Sequence, residues 1–191
     1  MKKFLRILFV FIAALCISLI NEWQKSENKI SKVSVPRKQS EISDSRTYKV
    51  VKVIDGDTIY LDNPINPIKV RMIGIDAPEA RENEKALRDS QKSRKSIKAI
   101  TELGAKSARY LESLISKGQK VRLVFDFTKF DKFGRTLAYV YSEKGEFLNL
   151  KLLENGYVYA YPVSPNLRFE REFNQAAQRA REGKKGLWAQ N

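Results

Sequence analysis

The segment from residue 51 to residue 79 constrains the fold more than any other part of the sequence. Apolar residues alternate with polar ones on both sides of the turn DGDT at 55–58, and the run VRMI follows two prolines. Alternation of period two between Asp, Gly and Pro residues is typical of antiparallel strands joined by turns. Because alternate side chains point to opposite faces, Arg71 can face a site while its apolar neighbours pack.

Two acidic turns flank the strand that carries Arg71. Asp55 and Asp57 lie in the first turn, and Asp76 and Glu79 lie in the second. Carboxylates suit hard cations such as Ca²⁺ or Mg²⁺, which take oxygen ligands from side chains, carbonyls and water. The arginine indicates an anion shared with the metal, because a guanidinium matches a phosphate with two hydrogen bonds. Metal and arginine together indicate phosphoryl chemistry.

The charge of the chain favours a polyanionic partner. The net charge is +14 over 191 residues, and residues 47–191 keep 27 basic and 18 acidic side chains, which is +9. The length indicates one domain with appendages. A cationic domain attracts nucleic acid first and anionic membrane second. Charge alone also leaves open a merely soluble basic domain.

Two absences from the sequence exclude whole classes of site. The chain has no histidine, which excludes imidazole bases, Ser/His or Cys/His nucleophile pairs and His-ligated zinc. The only cysteine is Cys16, so neither an intrachain disulfide nor a Cys-rich metal site is possible. Any acid–base chemistry therefore falls to carboxylates, lysine or tyrosine.

The N-terminal residues indicate export. Residues 1–20 combine a basic start with a 14-residue apolar run, which is within the length of a secretory signal and short for a membrane span. No clear cleavage site follows, so a retained membrane anchor is the alternative to a signal peptide. Residues 21–46 are rich in Ser, Lys and Glu and are predicted to form a polar linker. The folded domain is then predicted to span residues 47–191.

Apolar spacing predicts the remaining elements. Residues 80–103 are charge-dense, which leaves open a mobile loop or an exposed helical extension. Further predicted elements are a helix from Thr101 to just before Gly118, strands at 121–127 and 135–141, a short helix near 147–155 and a last helix at about 167–184. This order predicts an α+β fold: a small, partly open, five-stranded OB-fold barrel with about three packed helices, after the N-terminal signal or anchor segment.

Four segments in order carry a resemblance to a known family. They are IDGDT at 54–58, an arginine in a hydrophobic strand, DAPE at 76–79 and DKFGR at 131–135. With them the chain resembles the staphylococcal-type thermonuclease (SNase-like) family from about residue 48 to residue 188. The resemblance implies an OB barrel with helices and Ca²⁺-dependent hydrolysis of phosphodiester bonds in DNA and RNA.

The resemblance also implies a calcium site. The family's metal carboxylates fall on Asp57 and Asp76, and its carbonyl ligand falls on Ala77, where the family usually has threonine. Because that ligand is main-chain, the substitution leaves coordination possible. Asp55 matches an acidic residue near the metal.

Catalytic and substrate-binding roles are carried over in the same way. Glu79 matches the proposed general base, and Arg71 and Arg135 match the two phosphate-binding arginines. Lys132 matches a lysine near the terminal phosphate, and Tyr161 stands for a tyrosine that contacts substrate.

The sequence therefore predicts a Ca²⁺-dependent nuclease of low sequence specificity. Its expected partners are DNA and RNA as substrates, with membrane contact only through the N-terminal segment and no protein partner, which makes a monomer the expectation. Its expected place of action is outside the cytoplasm. The alternative is a non-catalytic OB-fold module that binds nucleic acid, since such barrels are common ligand platforms. Such modules usually lose the carboxylates or arginines, whereas this chain keeps all of them.

Overall fold

A computed structural model describes residues 43–190 of the chain. The predicted targeting segment at 1–20 lies outside these residues, as does nearly all of the predicted linker at 21–46, so both stay predictions. Among the described helices, none has the length and apolar character needed to cross a membrane.

The described chain contains strands and helices in a mixed order. The strands are β1 (Ser43–Asp55), β2 (Thr58–Leu61), β3 (Ile68–Met72), β4 (Ile75–Asp76), β5 (Lys120–Val124), β6 (Thr136–Ser142) and β7 (Tyr159–Ala160). The helices are α1 (Glu84–Ser93), α2 (Ile97–Leu114), α3 (Leu148–Glu154) and α4 (Glu170–Glu182), followed by a 3-10 helix at Gly186–Gln190. The predicted strands after residue 120 and the last two predicted helices are confirmed.

Five strands form a closed barrel in the order β1-β2-β3-β6-β5. Strands β3 and β6 are parallel, while the other barrel pairs are antiparallel. The expectation of a partly open barrel is wrong, because β1 has 13 residues and pairs with β2 through its second half and with β5 through its first half. This strand begins at Ser43, shortly before the predicted start of the domain. Strands β4 and β7 form a separate two-stranded sheet.

The barrel core confirms the period-two pattern of β3. Val70 and Met72 are buried with no more than 1% of their surface exposed, and they pack in one cluster with Ile59 and Leu123. Arg71, between them in sequence, points to the opposite face, where its side chain is 12% exposed. The arginine is therefore covered by neighbours rather than solvated.

Four α-helices are described, rather than about three, because the charged stretch at 80–103 folds. Helix α1 begins after Asn83, whose side chain accepts a hydrogen bond from the amide of Ala86, and α2 begins after Ser96, which accepts one from Ala99. Such caps satisfy amides that a helix start leaves without partners. Of the two alternatives for this stretch, the helical one is right and the mobile loop is wrong.

A buried asparagine ties α3 to the strand that carries Arg71. Asn149 is fully buried, accepts a hydrogen bond from the amide of Val140 at 2.9 Å and donates one to the carbonyl of Ile73 at 2.9 Å. Each bond satisfies a backbone group that would be costly to leave unpaired, by about 1–3 kcal/mol. The end of β3 is thereby fixed against the helical side of the barrel.

Candidate active site

Asp57 joins the two acidic turns. Its carboxylate is buried, accepts a hydrogen bond from the hydroxyl of Thr58 at 2.8 Å and accepts another from the amide of Ala77. The first turn is fixed between β1 and β2, and Ala77 follows β4 directly. The hydrogen bond therefore brings together turns that are far apart in sequence, as the resemblance implied.

Arg71 lies between the two predicted metal carboxylates. Its Nη1 makes an ion pair with Asp57 without a well-directed hydrogen bond, and its Nη2 donates to Asp76 at 2.6 Å. Burial alone would lower the pKa of Arg71, but the two carboxylates raise it above its usual value. Burial raises the pKa of Asp76, although Arg71 acts in the opposite direction. The guanidinium is therefore held charged beside both carboxylates.

Glu79 is held by residues from the start of α1. Its Oε2 accepts a hydrogen bond from Asn83 at 2.7 Å, and its Oε1 lies 3.3 Å from the ammonium of Lys85. The nearby Asp55 accepts a hydrogen bond from the amide of Ala80 at 3.3 Å. Burial raises the pKa of Asp55, and the charge of Glu79 raises it further. The carboxylate of Glu79 thus has a fixed position within the second acidic turn.

Lys85 is a site residue that the sequence analysis missed. Its Nζ donates a hydrogen bond to the carbonyl of Ala77 at 2.7 Å and lies 3.3 Å from Asp76. Burial alone would lower the pKa of Lys85, but Asp76 and Glu79 raise it. No pattern in the sequence shows this lysine reaching the acidic turns, because its position depends on how α1 packs.

Arg135 is held separately, immediately before β6. Asp131 accepts a hydrogen bond from Nε of Arg135 at 2.6 Å and others from the amides of Phe133 and Arg135, both at 2.9 Å. Burial alone would raise the pKa of Asp131, but these hydrogen bonds lower it below its usual value. The carboxylate stays ionised and orients a guanidinium that is 30% exposed.

One cleft brings both arginines together. A cavity of about 620 Å³ is lined by Arg71 and Arg135 together with Lys132 and Tyr161. The parallel register explains this, because Arg71 pairs with Leu137, two positions beyond Arg135. Asp57, Asp76 and Glu79 are not part of the lining, and the first two connect to the cleft through Arg71. The cleft also has exposed aromatic residues on its wall, Phe130, Phe133 and Tyr161.

The oxygen atoms of the second turn suit a hard cation. In the described part of the chain, no three Asp, Glu, Cys or His side chains lie close enough to form a metal site by themselves. The predicted site needs only two carboxylates, because the Ala77 carbonyl is its third protein ligand. Two of these three ligands, the Ala77 carbonyl and Asp76, converge on one cation in the structure, the ammonium of Lys85. Such a donor set fits Ca²⁺ or Mg²⁺.

Comparison with known proteins identifies the family of the chain. Residues 69–190 match the family model described as staphylococcal nuclease homologue. The chain belongs to this family. It is 32% identical over 191 residues to a thermonuclease of Staphylococcus hyicus, with 99% of each chain covered. It is 32% identical over 142 residues to a thermonuclease of Staphylococcus intermedius, covering 74% of this chain and 76% of that one.

A further relative shows the same region within a longer protein. The chain is 33% identical over 145 residues to endonuclease YhcR of Bacillus subtilis, which covers 74% of this chain and 11% of that protein. The match to the staphylococcal nuclease family model includes Arg71, Asp76, Glu79 and Arg135, and it begins after Asp57. Four of the five principal site residues therefore lie inside the family match.

Helix α2 supports both acidic turns through small residues. A Cβ atom on Gly104 would lie 2.2 Å from the carbonyl group of Glu79, and one on Gly56 would lie 1.8 Å from the hydroxyl of Ser107. The backbone of Glu79 therefore rests directly on the helix. This contact could not be predicted from the sequence, because the spacing of apolar residues in a helix does not show what packs against a glycine within it.

Replacing Gly104 with alanine is expected to destabilise the protein by about 1–3 kcal/mol, because the methyl group overlaps the backbone of Glu79. At a helix position free of such contacts, the same change stabilises by roughly 1 kcal/mol. Urea unfolding measures whether Gly104→Ala lowers or raises the free energy of unfolding. Ser113→Ala, at an exposed position of α2, is the control and should change stability by less than about 0.5 kcal/mol. A more stable Gly104→Ala variant would contradict the close contact.

Proposed function

We propose that this protein is a Ca²⁺-dependent nuclease that hydrolyses phosphodiester bonds of both DNA and RNA with little regard to sequence. Its nuclease activity is supported by its family and by relatives named thermonuclease and endonuclease. The observation that carries the proposal is the shared cleft, in which Arg71 and Arg135 lie together while Arg71 contacts Asp57 and Asp76. A phosphate in that cleft would lie next to the carboxylates.

The metal would be held by Asp57, Asp76 and the carbonyl of Ala77. When Ca²⁺ is bound, it supplies Lewis-acid stabilisation of the charge that develops on the phosphate. Asp57 also fixes the backbone of Ala77 through its hydrogen bond, so it orients one ligand while serving as another. Asp57 therefore contributes to the site although it does not line the cleft itself.

Glu79 is the proposed general base. Its hydrogen bond from Asn83 fixes the carboxylate, and the chain has no histidine that could replace it. A positioned carboxylate that takes a proton from the attacking water contributes typically about 10²–10⁴-fold in rate. Arg71 on β3 and Arg135 immediately before the adjacent strand β6 would donate to the phosphoryl oxygens, so the phosphate would be held from two directions as its charge increases.

The cleft wall favours sequence-tolerant binding. Phe130, Phe133 and Tyr161 are 63%, 71% and 57% exposed and line the cleft beside the arginines. Exposed aromatic faces stack on bases of any identity, and they do so most readily where bases are unpaired. The excess positive charge of the domain adds phosphate contacts, which carry no sequence information directly.

Cleavage by the purified full-length protein tests the proposal. Plasmid DNA and a structured RNA should both be cut at many positions with Ca²⁺, and EDTA in excess should abolish cutting until Ca²⁺ is restored. An Arg71→Ala/Arg135→Ala double variant, purified in parallel, controls for contaminating nuclease. Undiminished cutting in EDTA would contradict the calcium requirement. Binding of nucleic acid without cleavage under any metal would favour the non-catalytic OB-fold module instead.

A further inference from the structure

Lys85 contacts the same oxygen atoms that the proposed metal would use. Its Nζ lies 2.7 Å from the carbonyl oxygen of Ala77 and 3.3 Å from Oδ2 of Asp76, which are two of the three proposed ligands. It also lies 3.3 Å from Glu79 and 3.6 Å from Asp89. One ammonium therefore has a carbonyl and three carboxylates around it.

We propose that Lys85 is an intramolecular competitor of the metal ion, whose ammonium must leave the acidic turns before Ca²⁺ can bind there. This inference rests on the proposed calcium dependence. Calcium lies about 2.3–2.6 Å from its oxygen ligands. A cation at that distance from the Ala77 carbonyl would be within a few Å of the ammonium, and like charges so close repel strongly where water is partly excluded.

The position of Lys85 is set by the fold rather than by chance contact on a mobile surface. Asn83 caps α1 with its Oδ1 and donates to Glu79 with its Nδ2, so the first turn of the helix is anchored to the acidic turns. Lys85 lies within that turn, and Asp89 supports it from the next turn of the same helix. The lysine side chain is only 28% exposed.

Displacement of Lys85 does not require the helix to unfold. Its four-carbon stem is flexible, so the ammonium can rotate away while α1 keeps its cap. Without metal, the lysine neutralises carboxylates that would otherwise repel one another. With metal bound, Ca²⁺ would neutralise these oxygen atoms in place of the ammonium. The lysine therefore lowers calcium affinity and stabilises the metal-free protein by the same contacts.

Calorimetric titration of the full-length protein with CaCl₂, without substrate, tests the inference. Lys85→Met keeps the length of the side chain and removes its charge, so it should bind Ca²⁺ on the order of tenfold more tightly than the wild type or better. Lys85→Arg keeps the charge and should bind no more tightly than the wild type. Lys92→Met removes the same charge from an exposed position of α1, and its affinity should change less than about twofold.

Thermal unfolding provides a second readout that does not depend on activity. Without Ca²⁺, Lys85→Met should melt below the wild type because Asp76 and Glu79 lose their counter-ion, and saturating Ca²⁺ should raise its Tm by more than it raises that of the wild type. If Lys85→Met binds Ca²⁺ no more tightly than the wild type does, the inference about Lys85 is wrong, while the proposed calcium requirement still stands. Failure of both proteins to bind Ca²⁺ would overturn it together with the proposed calcium requirement.

Discussion

Replacing Glu79 with glutamine is expected to lower kcat at least about a hundredfold while calcium binding is largely kept. The amide retains the shape of the side chain, and its oxygen can still accept the hydrogen bond from Asn83. It cannot take a proton from water, so the loss falls on the chemical step. Single-turnover cleavage at saturating Ca²⁺ measures the rate, and calorimetry measures the metal affinity.

Glu82→Gln is the matched control for the Glu79 variant. Glu82 is exposed in the same loop, so the substitution removes an equal charge without touching the held carboxylate. Its rate should stay within about twofold of the wild type. Near-full turnover by Glu79→Gln would show that another group activates the water. A large loss of calcium affinity in that variant would instead make Glu79 a metal ligand.

Replacing Arg135 with lysine is expected to lower kcat/KM on the order of a hundredfold. The substitution keeps the positive charge, but a single ammonium cannot make the two parallel hydrogen bonds of a guanidinium. It also loses the 2.6 Å hydrogen bond from Nε to Asp131 that orients the side chain. Steady-state cleavage of a defined oligonucleotide, with urea unfolding alongside, separates this loss from any change in stability.

Arg88→Lys is the control for the Arg135 variant. Arg88 lies on α1 with a 60% exposed side chain and a long ion pair to Glu84, so the same exchange should leave the rate almost unchanged. If Arg135→Lys cleaves as fast as the wild type, charge alone is sufficient at this position. The two-pronged contact with phosphate would then be excluded.

Local patterns predicted the strands and the face that Arg71 occupies. The alternation in β3 is a property of neighbouring residues, and burial of Val70 and Met72 confirms it. The resemblance assigned Asp57 and Asp76 to the metal and Arg71 to the phosphate, and both carboxylates contact Arg71. Short turns and short strands leave little freedom in how these residues meet, but their separate roles came from the resemblance and not from local patterns.

The contribution of α1 could not be predicted from apolar spacing. The helix buries one residue, Ala86, so its sequence has no hydrophobic stripe to detect. The sequence did contain signals for the two helix starts, namely the capping residues Asn83 and Ser96. Each of them accepts a hydrogen bond from the amide of an alanine three residues later. The hydrogen bond from Lys85 to the carbonyl of Ala77 depends on tertiary packing, which local patterns do not show. The pairing of β1 with β5 that closes the barrel depends on tertiary packing as well.

The parallel pairing of β3 with β6 sets an order of events during synthesis. Strand β6 is the last barrel strand to leave the ribosome, and β3 has no partner on that edge until it arrives. Contacts between segments so distant in sequence form late, because the intervening chain must first be ordered. A nascent chain that ends within α2 holds Arg71 and its carboxylates but no Arg135. Pairing of β6 with β3 brings Arg135 next to Arg71 in the cleft, so the two arginines meet only after the last barrel strand has been made.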